Sequence, residues 1–376
     1  MNSKIVNSIS KLFLTFFGFC FIHCTDGQIM HKGYPVIKAT SKLADIRFGD
    51  YLMEGNWTIL PEIEADTLEV PFRNAEKLVF YTNVDSIEFL INSERLHYFY
   101  VCLNDTAYAL TVVKGIKLSQ VSLQFDKNSK NADINFWYDQ NDHNEYLKLL
   151  RSKYPIDSLI KEARTDMEKT LKILNWIHNQ WQHNGDNEPS KNDAISILEE
   201  AKEGKNFRCV EYGIVAAACL NAIGLNSRML ALKTKDVETT EYGAGHVATE
   251  VFLNDLKKWV FIDGQFDAMP VLNDTPLNAV EFQKAITENF DQLEIKTSSD
   301  IPKSIYTNWI YPYLYYFDVK FDNREGIDNK KSIDGKSSLM LVPLGAKSPT
   351  IFQRTFPMDY LKYTHSLEDF YAKPNK

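Results

Sequence analysis

The stretch FRCVEYGIVAAACLNAIGLNSRMLAL (207–232), followed by GHVATEV (245–251) and WVFIDGQ (259–265), decides how this chain is read. Cys209 heads a run in which Val210, Ile214, Ala217 and Ala218 fit a buried helix, and Gly224 stands where such a helix would stop. A thiol at a helix start faces unpaired backbone N–H groups and the positive end of the helix dipole, which favours thiolate. Cys219, further along the same run, lacks that advantage and reads as a small core residue. A thiolate nucleophile also needs a base and a group that orients the base. His246 opens the strand-like HVATEVFL (246–253), and Asp263 closes KWVFID (258–263). A hairpin with a two-residue loop at 254–255 sets 246 opposite 263. A four-residue loop over 254–257 shifts the pairing by two positions and keeps both residues on one face, whereas an odd loop would separate them. Cys209, His246 and Asp263 are therefore the candidate nucleophile, general base and orienter, with Asp267 the substitute for Asp263.

These three segments, in this order and at these spacings, resemble the core of the transglutaminase-like superfamily, a papain-related fold. In that family a Cys at a helix start, a His at a strand start and an Asp at the end of the next strand form a triad. Gly224-Leu225 followed by Arg228 matches the family pattern, as do Glu250, four after His246, and Trp259, four before Asp263. The resemblance covers roughly residues 165 to 270. It implies attack on an amide carbonyl, an acyl-enzyme, transfer to water or an amine, and no metal or organic cofactor. Peptides, proteins and glycopeptides are the substrates it suggests. Animal transglutaminases carry Gln-Cys-Trp at the nucleophile; here the residues are Arg208, Cys209 and Val210, so cross-linking activity does not carry over. The backbone N–H of Cys209 is the first oxyanion donor, and Gln180, Trp181, Gln182 and Asn206 are alternatives for the second.

Outward from this core, the chain has 376 residues, a net charge of −8 and 44% hydrophobic residues, which describes an ordinary globular protein with room for two or three units. No stretch concentrates Lys or Arg, so the electrostatic term behind nucleic-acid binding is missing. Lys4 and Lys11 precede the apolar run LFLTFFGFCFI (12–22), which has the length of a signal-peptide core and is too short to span a bilayer. Residues 1–27 thus read as an export signal, with cleavage before Gln28 and a lipid anchor at Cys24 as alternatives. The expected location is periplasmic, cell-surface or secreted, as for an exported member of bacterial type. The body keeps Cys102, Cys209 and Cys219, which is neither a disulfide framework nor a zinc spacing.

Residues 28–142 alternate apolar and polar, with strands expected at 77–82, 86–91, 96–103, 106–115, 117–125 and 132–139, an antiparallel sandwich. Residues 143–300 then hold helices, including apolar spacing of three and four over 157–182, and the strands of the core. The sequence thus predicts an α+β chain in which a β-sandwich-like domain precedes a papain-like transglutaminase core. Residues 301–376 form an aromatic-rich extension whose Trp309, Tyr311, Tyr313, Tyr315, Tyr316 and Phe317 read as packing against the main domain. Trp176, His178, Trp181 and His183 read as structural or cleft-lining, because the five-residue spacing of the histidines misses that of a helical metal pair. An exported thiol enzyme acting on amide bonds is the expectation; its alternative is a non-catalytic peptide- or glycan-binding protein on the same fold. Oligomeric state is not legible in the sequence.

Overall fold

The computed structural model describes residues 29–48, 51–73, 75–117, 120–128, 133–139, 144–299 and 301–374. The export signal and Cys24 lie outside the described residues. The chain divides into two compact units at 117/118.

The first unit is all β: β1 (Met30–His31), β2 (Tyr34–Ala39), β3 (Leu43–Phe48), β4 (Tyr51–Thr58), β5 (Asp66–Phe72), β6 (Glu76–Tyr81), β7 (Ser86–Ile91), β8 (Leu96–Leu103) and β9 (Ala107–Lys117). They form a sheet of order β1-β2-β8-β9-β5 and another of order β4-β3-β6-β7. Ring contacts join the two, with Phe80 5.0 Å and Phe89 5.5 Å from Phe99 between centroids. The expected sandwich is mixed rather than antiparallel, because β2 runs parallel to β8 and β5 parallel to β9. Alternation reports which face a residue takes and is blind to strand direction.

The second unit contains α1 (Glu145–Lys153), α2 (Ile156–Ile160), α3 (Asp166–His178), α4 (Ala194–Lys202), α5 (Cys209–Asn221), β10 (Ser227–Lys233), β11 (Gly245–Leu253) and β12 (Lys258–Ile262). There follow β13 (Met269–Leu272), β14 (Thr275–Pro276), α6 (Ala279–Glu288), β15 (Leu293–Lys296), α7 (Lys303–Ile310), β16 (Tyr316–Lys320), β17 (Ser338–Leu341), β18 (Ile351–Phe352), β19 (Phe356–Pro357), β20 (Leu361–Thr364) and α8 (Leu367–Phe370). The central sheet has the order β12-β11-β10-β16-β17-β20, so half of its strands come from the aromatic-rich extension. One face packs Val251, Leu253, Val260 and Ile262 against the helices α1 to α5; the other packs Leu230, Phe252, Phe261 and Phe317 against α6 and α7. The α+β class holds. No helix among the described residues is long and apolar enough to cross a membrane.

Two expected strands take another course. Residues 120–128 and 133–139 belong to the second unit, where their only ladder-like pairings among the described residues are the isolated bridges of Asp126 to Ser366 and Trp137 to Asp322. Phe136 and Tyr138 are buried in its core, where the Tyr138 ring lies 5.7 Å from that of Trp259. Their alternation serves packing against the second unit rather than a ladder, which moves the boundary from 142/143 to 117/118.

A buried ion pair ties the central strands to the end of the chain. Arg228 and Glu250 face each other in register on β10 and β11, both fully buried. Arg228 Nη2 and Nε lie 2.7 and 3.2 Å from Glu250 Oε2, and Nη1 donates to the carbonyl of Phe370 at 2.9 Å. The guanidinium sits 4.2 Å over Trp259 and 4.8 Å over Phe370. Glu250 Oε1 accepts from the Tyr371 hydroxyl at 3.0 Å and from the Ala279 N–H at 3.2 Å. This pairing explains why Arg228, Glu250 and Trp259 occur together.

Candidate active site

Helix α5 begins at Cys209, with Arg208 as its N-cap in extended conformation. The buried Glu211 side chain reaches back to the Arg208 N–H at 3.0 Å and pairs with its guanidinium at 2.7 Å, fixing the turn that presents the thiol. Cys209 is partly exposed and free of any disulfide, as are the buried Cys102 and Cys219. Burial pushes the Cys219 thiol far up, consistent with a core residue.

The helix can approach β11 because residue 213 is glycine. A Cβ there would meet Val247 Cγ1 at 2.8 Å and the Ala248 carbonyl at 3.3 Å. Gly213 lies one turn after Cys209, so it sets the gap between the thiol and the strand that carries His246. Gly213→Ala is expected to cost about 1–3 kcal/mol by overpacking. Thermal melting should show the loss, together with slower alkylation of Cys209.

In the β11–β12 hairpin Thr249 pairs with Ile262 and Leu253 with Lys258, leaving the four-residue loop 254–257. Carried one step past Ile262, that register sets Asp263 opposite Ala248, with His246 two residues back on the same face. The parity expected from the sequence is kept, and His246 Nε2 lies 2.9 Å from Asp263 Oδ2. The Cys209 thiol is among the groups that raise this imidazole, and with Nε2 engaged on Asp263 the ring nitrogen left to face it is Nδ1. The structure thus joins His246 to Asp263 by a hydrogen bond, with the Cys209 thiol acting on the same imidazole. Asp267 does not join them: it sits in a left-handed turn, and its carboxylate accepts from the Ser298 N–H at 2.9 Å and from Asn175 at 3.3 Å.

Asp263 is fully buried and held on every side. Its backbone exchanges hydrogen bonds with Ala268 at 2.8 and 3.1 Å, closing the loop 263–268. Oδ1 accepts from the Gln265 N–H at 3.0 Å, and Oδ2 accepts from the Tyr306 hydroxyl at 3.0 Å as well as from His246. His178 meets the Gly264 carbonyl of this loop at 3.3 Å, a supporting place in keeping with its expected role. The ring of His246 is met by two aromatics, Trp309 edge-on at 4.9 Å and Tyr313 at 5.9 Å. Trp309 also contacts Phe266 at 4.5 Å. Trp309 and Tyr313 pack on the main domain as expected, yet they do so at the site, and Tyr306 was not singled out from the sequence. Its only signal there is the helical spacing of residues 306, 309, 310 and 313.

Burial opposes the charge on His246, but the Asp263 carboxylate beside it, its hydrogen bond and the contact with Cys209 outweigh that and raise the imidazole to about 9. His183 is lowered by burial and then by the charge on His246. A folded value above the ordinary 6.5 means that this group's stabilisation is fully present below about pH 6.5 and lost as pH rises through about 9. The melting temperature of wild type should thus fall toward that of His246→Gln between about pH 6.5 and 9.5; a constant gap would refute the imidazolium.

Of the side chains offered as a second oxyanion donor, Gln180 Nε2 is committed to the Trp176 carbonyl at 2.7 Å, and Asn206 Oδ1 accepts from the Gln182 N–H at 3.0 Å. The indole N–H of Trp181 is buried without a partner, beside Tyr212 at 4.4 Å.

Residues 156–264 match the model of the transglutaminase-like superfamily. No curated protein matches the chain. Among solved structures, the chain is similar to a candidate cysteine protease from Cytophaga hutchinsonii at 14% identity and a TM-score of 0.27, covering 46% of this chain and 56% of that one. It is also similar to a candidate protease from Parabacteroides distasonis, at 16% identity and 0.22, covering 33% of this chain and 23% of that one. Red sea bream transglutaminase matches at 9% identity and 0.26, covering 72% of this chain and 51% of that one. The chain thus spans less than two thirds of each of these proteins. Cys209, His246 and Asp263 all fall inside residues 156–264, the part of the chain that is similar to the transglutaminase-like superfamily.

Proposed function

We propose that this protein is an exported thiol enzyme that opens amide bonds of peptide or protein substrates and passes the acyl group to water or an amine. The observation that carries the reading is the buried Asp263–His246 hydrogen bond, with an imidazole raised in part by the partly exposed Cys209 thiol at the start of α5. Asp263 holds the imidazole by Nε2, and the raised affinity of His246 for its proton favours an imidazolium facing a thiolate. The thiolate attacks the carbonyl carbon, forming a C–S bond as the carbonyl oxygen takes the negative charge. The backbone N–H of Cys209 at the helix start donates to that oxygen, and the unpartnered indole N–H of Trp181 and the side-chain amides of Gln182 and Asn206 are the candidates for a second bond. The imidazolium protonates the leaving nitrogen, the C–N bond breaks, and a thioester remains on Cys209. His246, now neutral, takes a proton from the incoming water or amine, whose attack on the thioester expels the thiolate. The resulting imidazolium restores the starting pair. Export rests on Lys4, Lys11 and the apolar run 12–22.

The test is to incubate the protein with a denatured, unstructured polypeptide and hydroxylamine as a competing acceptor. An acyl adduct on Cys209 by mass spectrometry, with hydroxamates or new chain termini as products, is expected. Both should vanish in Cys209→Ala. If wild type and variant give the same products, the assignment is wrong.

A further inference from the structure

We propose that Tyr306 is a positioning residue of this site, fixing Asp263 so that the carboxylate in turn holds His246 toward Cys209. This rests on the thiol-enzyme reading above and extends it to an element beyond residues 156–264. Tyr306 lies in α7 and is fully buried, 43 residues past the carboxylate that its hydroxyl meets at 3.0 Å. Its ring is pinned by Phe266 at 5.2 Å and by Phe282, stacked at 6.1 Å. The hydroxyl donates to the same oxygen, Oδ2, that accepts from His246 Nε2, while Oδ1 is held by the Gln265 N–H. A buried carboxylate with three donors has no alternative rotamer that satisfies them all, so its orientation toward the imidazole is fixed before substrate arrives. Burial, and then the adjacent Asp263, raise the phenol well above its usual range, so it stays a donor at every working pH.

The spacing adds a second contribution. Trp309 and Tyr313 follow Tyr306 by three and seven residues and therefore share its side of α7 and the turn that continues it. One side of this segment thus places a hydroxyl on Asp263 and two rings on His246, shielding the hydrogen bond between them from water. A hydrogen bond strengthens where the local dielectric is low.

Tyr306 and the imidazolium share one carboxylate oxygen. Removing the hydroxyl leaves more of the anion's charge to the imidazolium, so Tyr306→Phe should raise the His246 titration midpoint by about half a pH unit to one unit. The other groups facing the pair are Cys209, Glu211 and Tyr212 on α5, His183 before α4, and Tyr313; all are unchanged in the variant. The measurement is a pH titration of the histidine ring nitrogens by 15N NMR on the full protein, with the His246 signals identified by their loss in His246→Gln. A purely structural role would lower the melting temperature and leave the midpoint in place. Fluorotyrosine installed at 306 keeps the shape and strengthens the donor, so it should move the midpoint down and decides the matter if Tyr306→Phe does not fold. An unmoved midpoint, or a shift of the opposite sign, overturns the proposal. Alkylation of Cys209 in wild type separates the two failures: an activated thiol with an unmoved midpoint rejects Tyr306 alone, and an ordinary thiol rejects the enzyme reading and Tyr306 with it.

Discussion

Cys209→Ala is expected to abolish turnover, by a factor on the order of 10⁶ if the site works as a unit in the way known triads do. No other described thiol can substitute, since Cys219 lies fully buried in the core and Cys102 is buried in the first unit. The variant should fold normally, because the thiol is a partly exposed group at a helix start whose turn is set by Glu211 and Arg208 rather than by sulfur. His246→Ala should cost nearly as much in turnover, and the double variant no more than the worse single one, since nucleophile and base act in the same step. The check is a turnover assay on the three variants alongside their melting curves. Additive losses would mean that the two side chains act independently, contrary to their pairing as nucleophile and base.

The largest loss of stability is expected from Arg228→Met. The change leaves the Glu250 carboxylate fully buried with only the Tyr371 hydroxyl and the Ala279 N–H as partners, and it orphans the Phe370 carbonyl. Removing one partner of a buried pair costs about 3–5 kcal/mol. For a unit of this size each kcal/mol moves the melting temperature by roughly 2–4 °C, so a drop of about 10 °C is expected. Adding Glu250→Met should recover part of the loss by removing the unpaired charge, yet stay below wild type because Tyr371 and Ala279 keep unsatisfied donors. Thermal unfolding of the three proteins tests this, and a single variant melting within about 2 °C of wild type would show that the pair contributes little.

The site was legible because its parts are local. A helix start, a strand start and a strand end are marked in sequence by periods of 3.6 and 2, and the hairpin parity survived a four-residue loop because only odd shifts change the face. The choice between Asp263 and Asp267 was not local: it depends on Ser298 and Asn175, which claim Asp267 from distant segments. The extension was harder still. Strands β16, β17 and β20 have four or five residues each and are mostly buried, so they show little alternation, and β17 pairs in parallel with a strand some twenty residues later. Tyr306 resembles any other tyrosine of an aromatic-rich helix until the sheet brings Asp263 beneath it.

The central claim is that Cys209 is an activated nucleophile paired with His246. It is tested most directly by following iodoacetamide labelling of each cysteine by mass spectrometry from about pH 4 to 9 in wild type and His246→Ala. Fast labelling confined to Cys209, persisting well below the free-thiol value of about 8.5 and lost in the variant, is the predicted result. Labelling of Cys209 with the pH dependence of an ordinary thiol, unchanged by His246→Ala, would contradict it.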